Sequence, residues 1–117
     1  MYDSNGSLRV RAFTAGGALP VSNVLIRLWG IDEENRETVR SLITDRDGVG
    51  VFSDLPTPNI KYSMTPTPAE RPYALYRLEA VADGYAPRAV EELQVFSGIE
   101  SFQPLNLIPA LDSEIIN

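Results

Sequence analysis

The sequence predicts an all-β fold, a seven-stranded antiparallel β-sandwich, and three observations carry that prediction. Short apolar runs alternate with polar residues at a period of two, no segment sustains a period of 3.6, and turn-forming residues interrupt the runs at fairly regular spacing. Eight Gly and nine Pro lie between the runs of a 117-residue chain, near the commonest size for one domain, and 44% hydrophobic residues suit one ordinary core.

A polar leader, residues 1–7, precedes Leu8-Arg9-Val10-Arg11-Ala12-Phe13, where Leu8, Val10 and Ala12 face one way and Arg9, Arg11 and Phe13 the other. Gly16-Gly17 breaks that strand and Pro20 leads towards the next, Val24 to Trp29. Its inner set is Val24, Ile26 and Leu28, which turns Leu25, Arg27 and Trp29 outward. Asp32-Glu33-Glu34-Asn35 is expected to be a solvated hairpin loop, with a third strand over about Glu37 to Thr44.

Asp45-Arg46-Asp47-Gly48 is a turn signal, because Asp side chains bond nearby backbone amides and Gly accepts positive φ. A calcium loop with Gly48 as its sixth residue would put Ile43, which has no side-chain oxygen, at the first ligand position. A short strand, Val49 to Phe52, follows.

From Asp54 to Pro72 the chain becomes proline-rich, with Pro56-Thr57-Pro58 and Pro66-Thr67-Pro68 bracketing Asn59 to Met64. Proline cannot donate to a ladder, so this stretch is expected to be a long connection, either a stiffened crossover between sheets or a recognition loop. Alternation resumes with Tyr76, Leu78 and Ala80 inward, and Asp83-Gly84 ends that strand. Tyr85 to Phe96 returns, Gly98 breaks it, and Phe102 to Ile108 is the last strand, placed at a sheet edge by Pro104. The sandwich thus spans residues 8–109, and 110–117 form a tail or linker.

Composition then removes several chemistries. There is no Cys and no His, so disulfides, thiolate nucleophiles, serine-triad hydrolysis and His-based metal catalysis have no residues to work with. Nothing in the sequence implies a cofactor, and the domain is expected not to be an enzyme. A net charge of -6, with nine Arg and a single Lys (Lys61) that do not cluster, argues against nucleic acid and anionic membrane surfaces. No apolar run approaches the ~18 residues of a membrane span. The first fifteen residues lack a hydrophobic signal segment, which leaves two readings: a cytoplasmic protein or a piece of a longer chain.

The order of the signals is more specific than the fold class. Leu8-x-Val10 opens the series, then Pro20-Val21-Ser22-Asn23-Val24-x-Ile26, Thr44-Asp45-x-Asp47-Gly48, Tyr76-x-Leu78-x-Ala80-x-Ala82-x-Gly84-Tyr85 and Leu105-x-Leu107 follow. This series, from about Ser7 to Pro109, resembles the carboxypeptidase regulatory-like domains, prealbumin-like sandwiches related to Cna B-type repeats. Arg11 to Val21 and Val95 to Pro104 are similar to such domains in clostridial and related Gram-positive bacteria, some on chains with peptidoglycan-binding modules. The resemblance implies an accessory domain of a cell-envelope or spore-associated protein, and no particular ligand.

Some Cna B-type domains join a first-strand Lys to a last-strand Asn under a buried Glu. Here the first strand offers Arg9 and Arg11, which are too basic to serve as that amine. Leu78 stands where the resemblance places the Glu, Glu79 is one residue off, and Asn106 has no Lys opposite, so no such bond is expected. Related hydroxyisourate hydrolases rely on histidines that this chain lacks. Glu33-Glu34 and Glu91-Glu92 are adjacent pairs whose members point to opposite faces along a strand, and they are read as solvated rims rather than paired catalytic acids.

Two functions remain: a structural or interaction module whose partner is another protein, and a module that binds carbohydrate or peptidoglycan through exposed aromatics. Trp29 is the main candidate, sharing a face with Leu25, with Tyr62 and Tyr73 in or beside the proline-rich loop. An exposed row of these rings would favour glycan binding, and rings packed under the loop would favour the spacer.

Overall fold

The computed structural model describes residues 2–59 and 71–110, and its architecture is an all-β sandwich of two sheets. The strands are β1 (Ser4–Thr14), β2 (Leu19–Pro20), β3 (Leu25–Gly30), β4 (Val39–Ile43), β5 (Val49–Thr57), β6 (Tyr73–Val81), β7 (Arg88–Phe96) and β8 (Glu100–Asn106). The described residues form eight rather than seven: the extra one is the two-residue β2, which pairs with Phe13 and Thr14 at the end of β1. In the first sheet β1 is the hub, antiparallel to β2 and β5 and parallel to β8. The parallel β1–β8 pair corrects the expectation of a fully antiparallel sandwich. The second sheet runs β4-β3-β6-β7, antiparallel throughout.

Period-two alternation sorts the core as the sequence predicts. Leu8, Val10 and Ala12 of β1, Val24, Ile26 and Leu28 of and before β3, and Tyr76, Leu78 and Ala80 of β6 are all buried between the sheets. Tyr76 is the largest fully buried side chain, and its hydroxyl donates to the Pro56 carbonyl at 2.6 Å. Burial pushes that phenol up to about 12. Pro104 lies on β8, which pairs only with β1, so the proline sits at an edge as expected.

Two boundaries move. β1 begins at Ser4, inside the stretch read as a leader, and β5 runs on to Thr57, through Pro56. Proline is tolerated there because β5 is an edge strand paired only with β1. A bulge opposite Ser7 gives Asp54 a positive φ of 55°. Arg40 of β4 reaches across to the bulge and donates to the Ser53 and Asp54 carbonyls at 2.9 and 3.1 Å, tying one sheet's edge to the other's.

The Asp45–Gly48 turn forms as the sequence predicts. Asp45 Oδ1 accepts from the backbone N–H of Asp47 at 2.9 Å and of Val49 at 3.0 Å, and Gly48 takes φ 78°. The Asp32–Asn35 segment departs from a solvated loop. Asn35 is buried, and the Asp32 side chain is only 9% exposed.

Candidate functional site

The site is the outer face of the second sheet, and β3 sets its composition. Because Val24, Ile26 and Leu28 face the core, Leu25, Arg27 and Trp29 must face away from it. Register then decides their neighbours. Leu25 stands between Ile43 of β4 and Val81 of β6, which makes an apolar rung. Trp29 stands between Val39 and Arg77 in a second rung. Between them, Arg27 lies between Ser41 and Glu79.

Leu25 and Trp29 are half-buried by these neighbours, while Val39, Ile43 and Val81 are 60%, 63% and 50% exposed. Branched residues suit a strand whichever face they occupy, but three of them exposed on one face, Val39 beside Trp29 and Ile43 and Val81 beside Leu25, make an apolar patch.

Arg77 completes the Trp29 rung. Its guanidinium lies 5.4 Å from the Trp29 ring centroid and bonds Glu79 at 2.6 Å and Glu91 at 3.0 Å. The hydrogen bonds it donates to Glu79 first, then to Glu91, raise its pKa further. The two carboxylates thus hold a cation over the indole. Glu91 therefore belongs to the face rather than to a bare acidic rim.

Tyr73 is not a loop residue but the first of β6, and it shares the outward set Tyr73, Leu75, Arg77. Its ring pairs with Phe96 at 5.5 Å and a 57° tilt, and the Arg71 guanidinium lies 5.5 Å from it. Four residues of strand, about 13 Å, separate the Tyr73 and Trp29 rungs. The structure therefore brings Leu25, Trp29 and Tyr73 to one face; Tyr62 lies outside the described residues.

A half-buried polar cluster fixes the Tyr73 end of this face. Asp32 accepts from the Tyr2 hydroxyl at 2.7 Å and the Leu75 N–H at 2.8 Å, and forms an ion pair with Arg71. Asn35 accepts from the Asp32 N–H at 2.8 Å and donates to the Leu75 carbonyl at 3.0 Å. The β3–β4 turn is thereby sewn to β6. Burial works to raise the Asp32 carboxyl, but the hydrogen bonds from Tyr2 and Leu75 and the Arg71 charge outweigh it and hold the group below its ordinary value. Burial and the Asp32 carboxylate push the Tyr2 phenol well above its ordinary value.

Sequence reasoning named Leu25, Trp29 and Tyr73 but not Val39, Ile43, Arg77, Val81 or Phe96. Each of these could be assigned an outward position by alternation; only register could bring Val39 and Arg77 beside Trp29, Ile43 and Val81 beside Leu25, and Phe96 beside Tyr73.

The positions tied to cross-link chemistry are also placed. β1 and β8 run side by side, but Arg11 stands opposite Pro104 and Phe13 opposite the exposed Asn106. Leu78 is fully buried and Glu79 turns outward to Arg77. Among the described residues no group of three His, Cys, Asp or Glu side chains is arranged to hold a metal ion, and no helix is long and apolar enough to cross a membrane.

No family model matches the chain, and no curated protein matches it. Solved structures do. The Bacillus anthracis TIE protein superposes with a TM-score of 0.65 at 14% identity, over 92% of this chain and 17% of that one. The 3-chlorocatechol 1,2-dioxygenase of Rhodococcus opacus gives 0.62 at 13% identity, over 94% of this chain and 62% of the enzyme. A provisionally assigned carbohydrate-binding protein from Bacteroides uniformis gives 0.59 at 12% identity, over 88% and 41%. The chain thus spans less than two thirds of each of these proteins. At such identities the likeness establishes the sandwich fold alone.

Proposed function

We propose that this domain is a non-catalytic interaction module that offers the outer face of its second sheet to a protein partner, as an accessory domain of a bacterial cell-envelope or spore-associated protein. The supporting observation is the Trp29 rung: a half-buried indole beside exposed Val39 and under an arginine held by two carboxylates, with exposed Ile43 and Val81 flanking Leu25 further along the same face. Trp and Arg in a branched apolar surround are the residues that carry most binding energy at protein interfaces. The absence of His and Cys from the sequence supports the non-catalytic part, and the ordered motif series resembling carboxypeptidase regulatory-like domains supports the setting.

A second reading, glycan binding on the same face, draws on the likeness to the Bacteroides uniformis protein. It is less favoured because the Arg77 guanidinium lies over the Trp29 ring and the Tyr73 ring packs at a tilt against Phe96, so neither aromatic is a bare platform.

Co-sedimentation with cell envelopes of the producing organism separates the two. A protein partner predicts retention that is lost when the envelopes are first treated with protease, and lost for Trp29→Ala and Arg77→Ala. Retention on protease-treated, purified peptidoglycan that still depends on Trp29 would instead select the glycan reading. Retention indifferent to both substitutions rules out this face altogether.

A further inference from the structure

A second site lies at one end of the sandwich, away from the Trp29–Arg77 rung. The turn before β3 and the β6–β7 turn face each other across a half-open groove of about 460 Å³, within the size range of small-ligand pockets. Its apolar part is Leu25, Val81, Ala82 and the half-buried Tyr85; its polar part is Ser22, Asn23 and Asp83, all exposed. The side chains of Ser22, Asn23 and Asp83 make no hydrogen bond or ion pair within the described residues, so their polar groups are free to meet a ligand.

Both walls are pre-set. The buried Thr44 hydroxyl donates to the Val21 carbonyl and accepts from the Val24 N–H, each at 3.0 Å, while the Asn23 N–H donates to the Thr44 carbonyl at 3.1 Å. These three bonds hold Asn23 at φ 60°, a left-handed conformation that Asn tolerates better than most residues. On the other wall the Gly84 carbonyl accepts from the Ala110 N–H at 2.9 Å, the Tyr85 N–H donates to Ala82, and the Ala86 N–H donates to Ile108. A ligand entering the groove would find its walls already ordered, which lowers the entropic cost of binding.

The lining also restricts the ligand class. Among the described residues no Arg or Lys lines the groove and Asp83 adds a negative charge, so phosphates, nucleotides and other anions are disfavoured. A wholly apolar ligand would leave the Asn23 amide and the Asp83 carboxylate desolvated without partners. A neutral polyhydroxylated ring suits both halves: one face on Leu25, Val81 and Tyr85, and hydroxyls on Ser22, Asn23 and Asp83. The geometry points to a saccharide site here, taking one or two neutral sugar rings. It shares Leu25 and Val81 with one end of the outer face, but needs neither Trp29 nor Arg77.

Correlation spectra of the ¹⁵N-labelled full chain, titrated with cellohexaose and separately with chitohexaose, test this. Saturable shifts are expected in residues 22–25 and 81–85, with the Trp29 indole and Arg77 signals unmoved. Asn23→Gly keeps the positive-φ backbone while deleting the amide, and Asp83→Ala deletes an exposed carboxylate; each is expected to weaken binding about tenfold while the rest of the spectrum stays native. Response to cellohexaose identifies recognition through ring hydroxyls, and response to chitohexaose alone identifies recognition through the acetamido group. No saturable shift in either segment up to about 10 mM of either sugar, or binding that survives both substitutions, overturns the site. Shifts confined to Trp29 would overturn it too, and would move the glycan to the other face.

Discussion

Two acidic turns, Asp32–Asn35 and Asp45–Gly48, look alike in the sequence and hold the fold in different ways. Asp45 closes on itself: its carboxylate accepts from backbone amides two and four residues on. Asp32 reaches outward, to Tyr2, Arg71 and Leu75, which lie 30, 39 and 43 residues away. The first turn shapes a local reversal; the second clamps three separate segments to the end of the candidate face. Their shared acidic composition predicts a turn in both places and a clamp in neither, because a clamp depends on residues that become neighbours only after the sheet has formed.

Substitutions can break or sharpen this contrast. The largest effect is expected at Gly48→Ala, where a Cβ would collide with the Ala12 carbonyl oxygen and the residue would sit at φ 78°. A loss of about 3 kcal/mol or more in urea unfolding is expected, so in the local turn the glycine outweighs the aspartate. Next is Asp32→Ala, which leaves the Tyr2 hydroxyl, the Leu75 N–H and Arg71 without their acceptor, at about 2–3 kcal/mol. Asn35→Ala unpairs the Asp32 N–H and the Leu75 carbonyl and is expected to cost about 2 kcal/mol. Asp45→Ala, whose amide partners sit in an exposed turn, should cost only about 1 kcal/mol. If Asp45→Ala proves as damaging as Asp32→Ala, the distinction between local turn and long-range clamp is lost.

Acid sharpens the same comparison. The folded Asp32 carboxyl titrates below its unfolded value, so its contribution to stability is complete above the unfolded pKa of about 3.9 and disappears as pH falls through the folded one. Between about pH 5 and pH 2 the wild type should therefore lose stability more steeply than Asp32→Asn. Parallel curves for the two proteins would remove the clamp's electrostatic part.

What was legible in the sequence follows from the same physics. Strand alternation is local, so the inward sets of β1, β3 and β6 and the outward turn of Trp29 could be assigned from spacing alone. The Asp-Gly turn was legible for the same reason. Register is not local: nothing in the order of residues says that Arg77 falls beside Trp29, or that β8 lies parallel to β1 rather than antiparallel. Tyr73 was assigned to the edge of a proline-rich loop because its neighbours Arg71 and Pro72 carry loop chemistry, whereas the Asp32 clamp on Leu75 starts the strand at Tyr73 itself.

The central claim is that the Trp29 face, and not the opposite face of the sandwich, meets a partner. Hydroxyl-radical footprinting of the domain, alone and with envelopes of its producing organism, tests this directly. Phe102, 56% exposed on β8 of the other sheet, supplies an internal reference within the same molecule. The account predicts that oxidation of Trp29 slows several-fold in the presence of envelopes while oxidation of Phe102 does not change. Equal rates at both residues with and without envelopes, or protection of Phe102 with Trp29 unprotected, would contradict it.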